Sequence, residues 1–264
     1  MITEKYKIII EAAEAGGKIV KEYFGEALEL EDKGMAANFR TKADLGSERV
    51  ILEILEREFP DYNIYSEEAG KIAKGSEYEF IIDPLDGTNN FFLGIPNFGV
   101  SIALAHKGEV IFGVIHQPIT GETFWAEKGQ GTWMDGKKIQ TSNEGILANS
   151  TICHTTGYEG SREQISKFRI AFDQIGIKRW MENWSIAVDC TLIALGRVEV
   201  LVNSATEIYD YAAGKLIAEE AGAVILYFDE VSDRSFGSEY FVICANKSIC
   251  EAITPIIKSA LSKK

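Results

Sequence analysis

Two aspartates three residues apart, Asp83 and Asp86, carry the sharpest chemical signal in the chain. They lie in Ile82-Asp83-Pro84-Leu85-Asp86-Gly87-Thr88-Asn89-Asn90-Phe91. Phe80-Ile81-Ile82 reads as a buried strand that delivers Asp83 at its end. Pro84 has no N–H to donate and is expected to stop the ladder there. The chain then turns, and two carboxylates on such a turn can converge on one hard cation. Magnesium takes oxygen ligands in a near-octahedral shell at about 2.0–2.1 Å. Gly87, Thr88 and Asn89 are expected to open a short helix, whose free N–H groups and dipole favour an anion such as phosphate. Asp86-Gly87 alone is an ordinary hairpin signal. A hairpin leaves the second carboxylate, at the end of a buried strand, without a reason.

Three more segments supply acidic groups that read two ways. Glu67-Glu68 follows a short strand and is either a solvated loop or a source of ligands. Asp210, in Glu207-Ile208-Tyr209-Asp210-Tyr211-Ala212-Ala213-Gly214, is either a helix cap or a ligand. Asp44, in Thr41-Lys42-Ala43-Asp44, reads as a helix-start residue.

The elements that must position these groups follow from periodicity. Ile9, Ala13, Gly16, Val20 and Phe24 fall at helical spacing and make the first two dozen residues an amphipathic helix. Leu28 to Glu31 reads as a short strand and Lys33 to Lys42 as a polar loop. A helix runs from Asp44 to Phe59 and stops at Pro60. Strands at 62–65, 79–83, 100–105, 110–116 and 122–126 form a meander, with a further turn at Asp135-Gly136. After about residue 145, strands at 151–154, 198–202, 224–227 and 240–244 alternate with helices at 162–174, 185–195, 208–221 and from 247 onward. That alternation predicts a layered α/β half. The expected organisation is residues 1–144 with the Asp83/Asp86 motif and 145–264 with Asp210, packed as one catalytic unit.

Bulk properties exclude several classes. The 264 residues are 46% hydrophobic and 25% charged, too apolar for a disordered chain. A net charge of −13 argues against a nucleic-acid-binding basic face. Bound divalent cations would reverse the local field, so this charge does not forbid a phosphate site. Cys153, Cys190, Cys244 and Cys250 form no CxxC pair, and His106, His116 and His154 have no ligand spacing. A reducing cytoplasm is expected. No apolar run approaches the roughly 18 residues of a membrane span.

The acidic pair, DPLDGTNNF at Asp83 to Phe91 and YDYAAG at Tyr209 to Gly214 together resemble the inositol monophosphatase family, over most of the chain. The family usually has Trp-Asp where Tyr209-Asp210 stands. The resemblance implies a layered αβαβα sandwich of the α/β (α+β) class, a homodimer and lithium sensitivity. It implies two or three magnesium ions, with manganese as a substitute. By that likeness Glu67, Asp83 and the Leu85 carbonyl hold one metal, and Asp83, Asp86 and Asp210 a second. A third, weaker metal is implied near the acidic pair and Asp44. Asp44 and Thr88 correspond to the pair that activates the attacking water, Glu67 belongs to the same catalytic group, and Gly87 and Thr88 N–H groups would hold phosphate oxygens. Lys33 matches a family lysine near the site or is a solvated loop charge.

The alcohol side departs from the family. A glutamate that binds inositol hydroxyls is replaced by Asn203, which can both donate and accept. Asn183-Trp184-Ser185-Ile186-Ala187 stands where small residues usually line the substrate. Trp184 and Ile186 either narrow that wall or belong to the core. With Asp86, Gly87 and Thr88, Asn203 and Ile186 form the expected substrate contacts. The expected substrate is an inositol monophosphate or related sugar phosphate. Fructose 1,6-bisphosphate, histidinol phosphate and 3′-phosphoadenosine 5′-phosphate are the alternatives. An inactive metal-binding or partner-binding scaffold is the rival of another class.

Overall fold

The computed structural model describes residues 2–26, 30–35, 38–158, 161–227 and 240–261. Helix α1 (Glu4–Tyr23) forms because Ile9, Ala12, Ala13, Gly16 and Val20 make one buried stripe. A hairpin of β1 (Glu31–Met35) and β2 (Asn38–Arg40) follows, then α2 (Lys42–Glu58). Thr41 caps α2: its hydroxyl accepts from Ala43 N at 3.1 Å and its own N–H donates to Asp44 Oδ2 at 2.7 Å.

The next strands are β3 (Asn63–Ser66), β4 (Gly70–Ile72) and β5 (Tyr78–Asp86), followed by the short helix α3 (Thr88–Phe92). The meander comprises β6 (Gly99–His106), β7 (Glu109–Gln117), β8 (Glu122–Glu127), β9 (Gly131–Met134) and β10 (Lys137–Ile139). These strands form one sheet in the order β10-β9-β8-β7-β6-β5-β3-β4. Its pairings are antiparallel except β3 with β5.

The remaining elements are β11 (Thr151–Thr156), α4 (Arg162–Ile175), β12 (Arg179–Met181), α5 (Ile186–Ala194), β13 (Val200–Ser204), α6 (Ile208–Glu220), β14 (Val224–Tyr227), β15 (Tyr240–Cys244) and α7 (Lys247–Leu261). Their strands make a second sheet in the order β12-β11-β13-β15-β14.

Five layers result. Phe80 and Ile82 of β5 face α1 and α2, while Ile81 between them faces α6, the alternation expected of a strand covered on both sides. The small face of α6, Ala212, Ala213 and Ile217, packs on the first sheet. Tyr211 and Ala218 of the same helix pack with Leu201, Phe241 and Ile243 of the second. Phe168 and Phe172 of α4 and Ile249, Ile253 and Ile257 of α7 close the outer face. The order is therefore αβαβα, as the resemblance implies. Burying each large apolar side chain contributes about 1.5–3 kcal/mol, against about 0–1 for an exposed ion pair. These layers, more than the surface charges, hold the fold together. Cys153, Cys190 and Cys244 are free and buried. Among the described residues no helix is long and apolar enough to cross a membrane.

Three local expectations change. Within the expected loop at 33–42, the chain pairs as the β1–β2 hairpin. The strand expected at Leu28 to Glu31 lies largely outside the described residues, and β1 starts at Glu31. Strand β5 does not end at Pro84 but runs on to Asp86. Its register with β6 shifts there: Asp83 pairs Ser101 and Asp86 pairs Gly99, three steps against two. The extra residue is a β-bulge, which tolerates the missing Pro84 N–H. In a regular strand, residues three apart point to opposite faces. The bulge is what lets Asp83 and Asp86 aim the same way.

Candidate active site

One carboxylate oxygen from each of Asp83, Asp86 and Asp210 lies within 4.8 Å of the others. The bulge presents the first two, and the start of α6 presents the third. Asp210 is both a cap and a member of the cluster, since its Oδ2 accepts from Glu207 N at 2.9 Å. Asp83 Oδ1 accepts from Leu85 N at 2.9 Å. Asp86 is held from the other half: Ser185 donates its hydroxyl to Oδ2, and Ala187 N donates to the same oxygen at 2.9 Å. The start of α5 thus sits on Asp86, with its dipole favouring the carboxylate.

Glu67 continues from β3, with its N–H donating to Ile82 O at 3.1 Å, and shares a hydrogen bond with Asp83. Lys33 Nζ reaches Glu67 Oε1 at 2.9 Å and also pairs with Glu68. Arg40 adds a 3.3 Å contact to Glu68. The hairpin thereby docks on the acidic pair. Burial opposes the Lys33 charge, but Glu67 and Glu68 outweigh it and the pKa rises.

Electrostatics set these groups apart from ordinary surface acids. Burial, then the charges of Glu67, Asp86 and Asp210, pushes Asp83 far above the usual carboxylate range. Burial, then Asp86 and Glu67, does the same to Asp210. Burial raises Asp86 to about 7 against the pull of Ser185 and Ala187. None of the three aspartates makes an ion pair with a described lysine or arginine. The Glu67 charge raises Asp83, and a cation between the two would relieve that repulsion. An all-oxygen, acid-rich donor set of this kind suits hard divalent cations, so the residues fit magnesium.

Beside the cluster, Thr88 Oγ1 lies 3.1 Å from Asp44 Oδ1 and 3.0 Å from Leu85 O. Asp44 is fully buried and its carboxyl is raised to about 7, chiefly by burial, with Thr41 pulling the other way. Gly87, at φ 90°, takes the left-handed turn from β5 into α3. A Cβ there would stand 3.0 Å from Asn97 O and 3.1 Å from Ser185 Cβ, so the two halves approach through glycine.

The structure brings together Asp44, Glu67, Asp83, Leu85, Asp86, Gly87, Thr88 and Asp210. It does not bring the two alcohol-side residues to the surface. Ile186 is 1% exposed, in the core with Cys190 and Phe241. Asn203 is 0% exposed between β11 and β15, and its Oδ1 accepts from Thr206 at 2.8 Å. Neither offers a face to a substrate. The sequence reading left out Ser185 as a partner of Asp86, although Ser before a helix is a legible cap. It also left out Tyr158, whose hydroxyl accepts from Asn89 Nδ2 at 3.2 Å. No spacing rule flags a tyrosine just past a strand.

The five-layer α/β sandwich and its carboxylate cluster beside a threonine–aspartate pair are what a family of phosphoric monoester hydrolases would require. The Inositol monophosphatase family model matches residues 1–262, and the chain belongs to that family. The chain is 32% identical over 255 residues to "Fructose-1,6-bisphosphatase/inositol-1-monophosphatase" of Aquifex aeolicus, covering 94% of this chain and 92% of that one. It is 31% identical over 260 residues to "Nus factor SuhB" of Pasteurella multocida, covering 97% and 96%. The solved structure of the Thermotoga maritima IMPase superposes with a TM-score of 0.86 at 28% identity, covering 98% of each chain.

Proposed function

We propose that this protein hydrolyses a small phosphate monoester in a magnesium-dependent reaction, with an inositol monophosphate or related sugar phosphate as substrate. The observation that carries this reading is the convergence of Asp83, Asp86 and Asp210, without a cationic partner among the described residues, beside Thr88 and Asp44. When bound, divalent cations would neutralise phosphate charge, acidify water and stabilise the leaving oxygen. Glu67, Asp83, Asp86, Asp210 and the Leu85 carbonyl would hold them.

The chain's own residues do the rest. A threonine hydroxyl has one proton and two lone pairs. Thr88 gives its proton to Asp44 or to Leu85 O, which leaves a lone pair to orient the attacking water. Asp44 is poised near neutrality to receive the proton through Thr88. Gly87 and Thr88 N–H groups fix the phosphate in line. Positioning and charge stabilisation must supply most of the rate, because uncatalysed hydrolysis of such esters is among the slowest reactions known.

The same reading makes the segments 1–144 and 145–264 one catalytic unit. It includes a cytoplasmic homodimer that lithium inhibits. The name of the Pasteurella relative motivates a second reading, a binding role that does not need turnover.

Phosphate release from a panel of esters, with and without magnesium, tests the proposal. Asp83→Asn is expected to lower kcat by about 10³-fold or more, with the folded state retained. Chelation should abolish activity and added magnesium restore it. Full activity after thorough chelation, or in the Asp83→Asn protein, would overturn it. Partner binding that persists in a catalytically dead Asp83→Asn protein would support the second reading.

A further inference from the structure

With Ile186 and Asn203 enclosed, the alcohol of the substrate needs another polar group at the rim, and the fold supplies one. Strand β11 ends against β13: Gly157 N donates to Ser204 O at 2.8 Å. A Cβ on Gly157 would stand 1.7 Å from Ala205 O, so only glycine permits this closure. The next residue, Tyr158, is thereby set on a rigid support. Its hydroxyl crosses to the other half of the molecule, where Asn89 Nδ2 donates to it at 3.2 Å. Asn89 directly follows Thr88 in α3. The ring is 52% exposed. Burial, then the Glu67 charge, pushes the phenol up to about 12, with a smaller push from Asp210 and with Asn89 and Lys33 pulling the other way, so it stands over the acidic basin as a neutral group.

A phenol has one proton to give and lone pairs to accept with. Asn89 uses a lone pair, and among the described residues the O–H proton has no acceptor. We propose that the Tyr158 hydroxyl donates to a hydroxyl of the substrate's alcohol, making Tyr158 a specificity-determining residue for polyol and sugar phosphates. This rests on the phosphatase reading above. The phosphate end is fixed at Gly87 and Thr88, and the alcohol extends past Asn89 to the phenol. Tyr158 acts on recognition and takes no part in bond breaking.

Steady-state kinetics of the wild type and Tyr158→Phe test this on inositol 1-phosphate, fructose 1,6-bisphosphate and p-nitrophenyl phosphate, whose alcohol has no spare hydroxyl. Phe keeps the ring and removes only the oxygen. Because the site is half open to water, a single hydrogen bond should be worth about 3–10-fold, far from the discrimination of a sealed pocket. KM for at least one hydroxylated ester should rise by that factor, with kcat held within about two-fold and p-nitrophenyl phosphate unchanged. Asn89→Ala, which frees the phenol to swing, should raise the same KM by a smaller factor. Equal effects on all esters, or no effect on any, would overturn the inference while the phosphatase reading stood. Wild-type turnover of p-nitrophenyl phosphate without either hydroxylated ester would also overturn it. No turnover of any ester would remove the phosphatase reading itself, and the inference with it.

Discussion

At the scale of single residues, the site doubles up on roles. Asp44 closes a helix cap through Thr41 and also takes the Thr88 hydroxyl. Asp210 caps α6 and joins the cluster. At these acids a cap and a place in the cluster coexist, so the bland reading does not exclude the functional one, and the sequence alone has no means to choose. Thr88→Ala is expected to cut kcat by about 10²–10⁴-fold with little change in KM, whereas Thr88→Ser keeps the hydroxyl and most of the rate. Ser185→Ala acts through Asp86 and not on the substrate. Losing its bond to Oδ2 should weaken magnesium binding by about 10–100-fold, read by calorimetric titration. Ser185 was legible as a cap, but its bond to Asp86 spans the two halves of the chain, and no local pattern encodes that. Ile186 and Asn203 failed as substrate contacts for the same reason. Position along the chain says which residue matches a family site, but its burial depends on neighbours from β15 and α6.

At the scale of elements, strong periodicity made the helices and the meander readable, and its absence hid the rest. Glu31-Asp32-Lys33-Gly34 has no apolar alternation, so the β1–β2 hairpin leaves no strand signature. Long-range contacts help to hold it, Lys33 and Arg40 to Glu67 and Glu68. Pro84 signalled a strand end when it marks a bulge. Close packing of elements gives a sharp test. A Cβ on Gly113 of β7 would meet Ala213 Cα of α6 at 2.9 Å. Gly113→Val should cost about 1–3 kcal/mol by overpacking, visible as a lower Tm. Strand β11 carries a pH-sensitive group. His154 is 2% exposed and stacks on Trp180 at 5.5 Å, and burial drops its pKa from 6.5 to about 4. Between those values the unfolded chain binds a proton that the folded chain refuses. Its stability contribution is whole above about 6.5 and declines as pH falls toward 4. His154→Phe should remove that slope, narrowing the loss by about 3 kcal/mol at most in denaturant titrations at pH 7.5 and 4.5.

At the scale of the molecule, the cluster makes fold stability and cation binding one equilibrium. Asp86 goes from 3.8 to about 7 on folding, so the folded chain keeps a proton that the unfolded chain has released. In the cation-free protein this stabilises below about pH 4, and the advantage shrinks as pH rises through 7. Magnesium, held as proposed, should reverse the trend, because it would bind the ionised form. At about 100 times its Kd it should add about 2.7 kcal/mol. The Tm gain from magnesium is expected to be larger at pH 8 than at pH 6 in scanning calorimetry, and Asp86→Asn should flatten that difference. The five-layer order itself came from family likeness. Alternating helices and strands announce layers, but not which helix lies between two sheets. Helix α6 does so because Ala212 and Ala213 let it approach the first sheet while Tyr211 and Ala218 pack on the second. A helix clad on two flanks has little path for water to reach its amides. Its hydrogens should exchange with solvent only when the whole sandwich opens, while those of the β1–β2 hairpin exchange early. The wall of the basin that bears Asp210 should therefore be the last part of it to open.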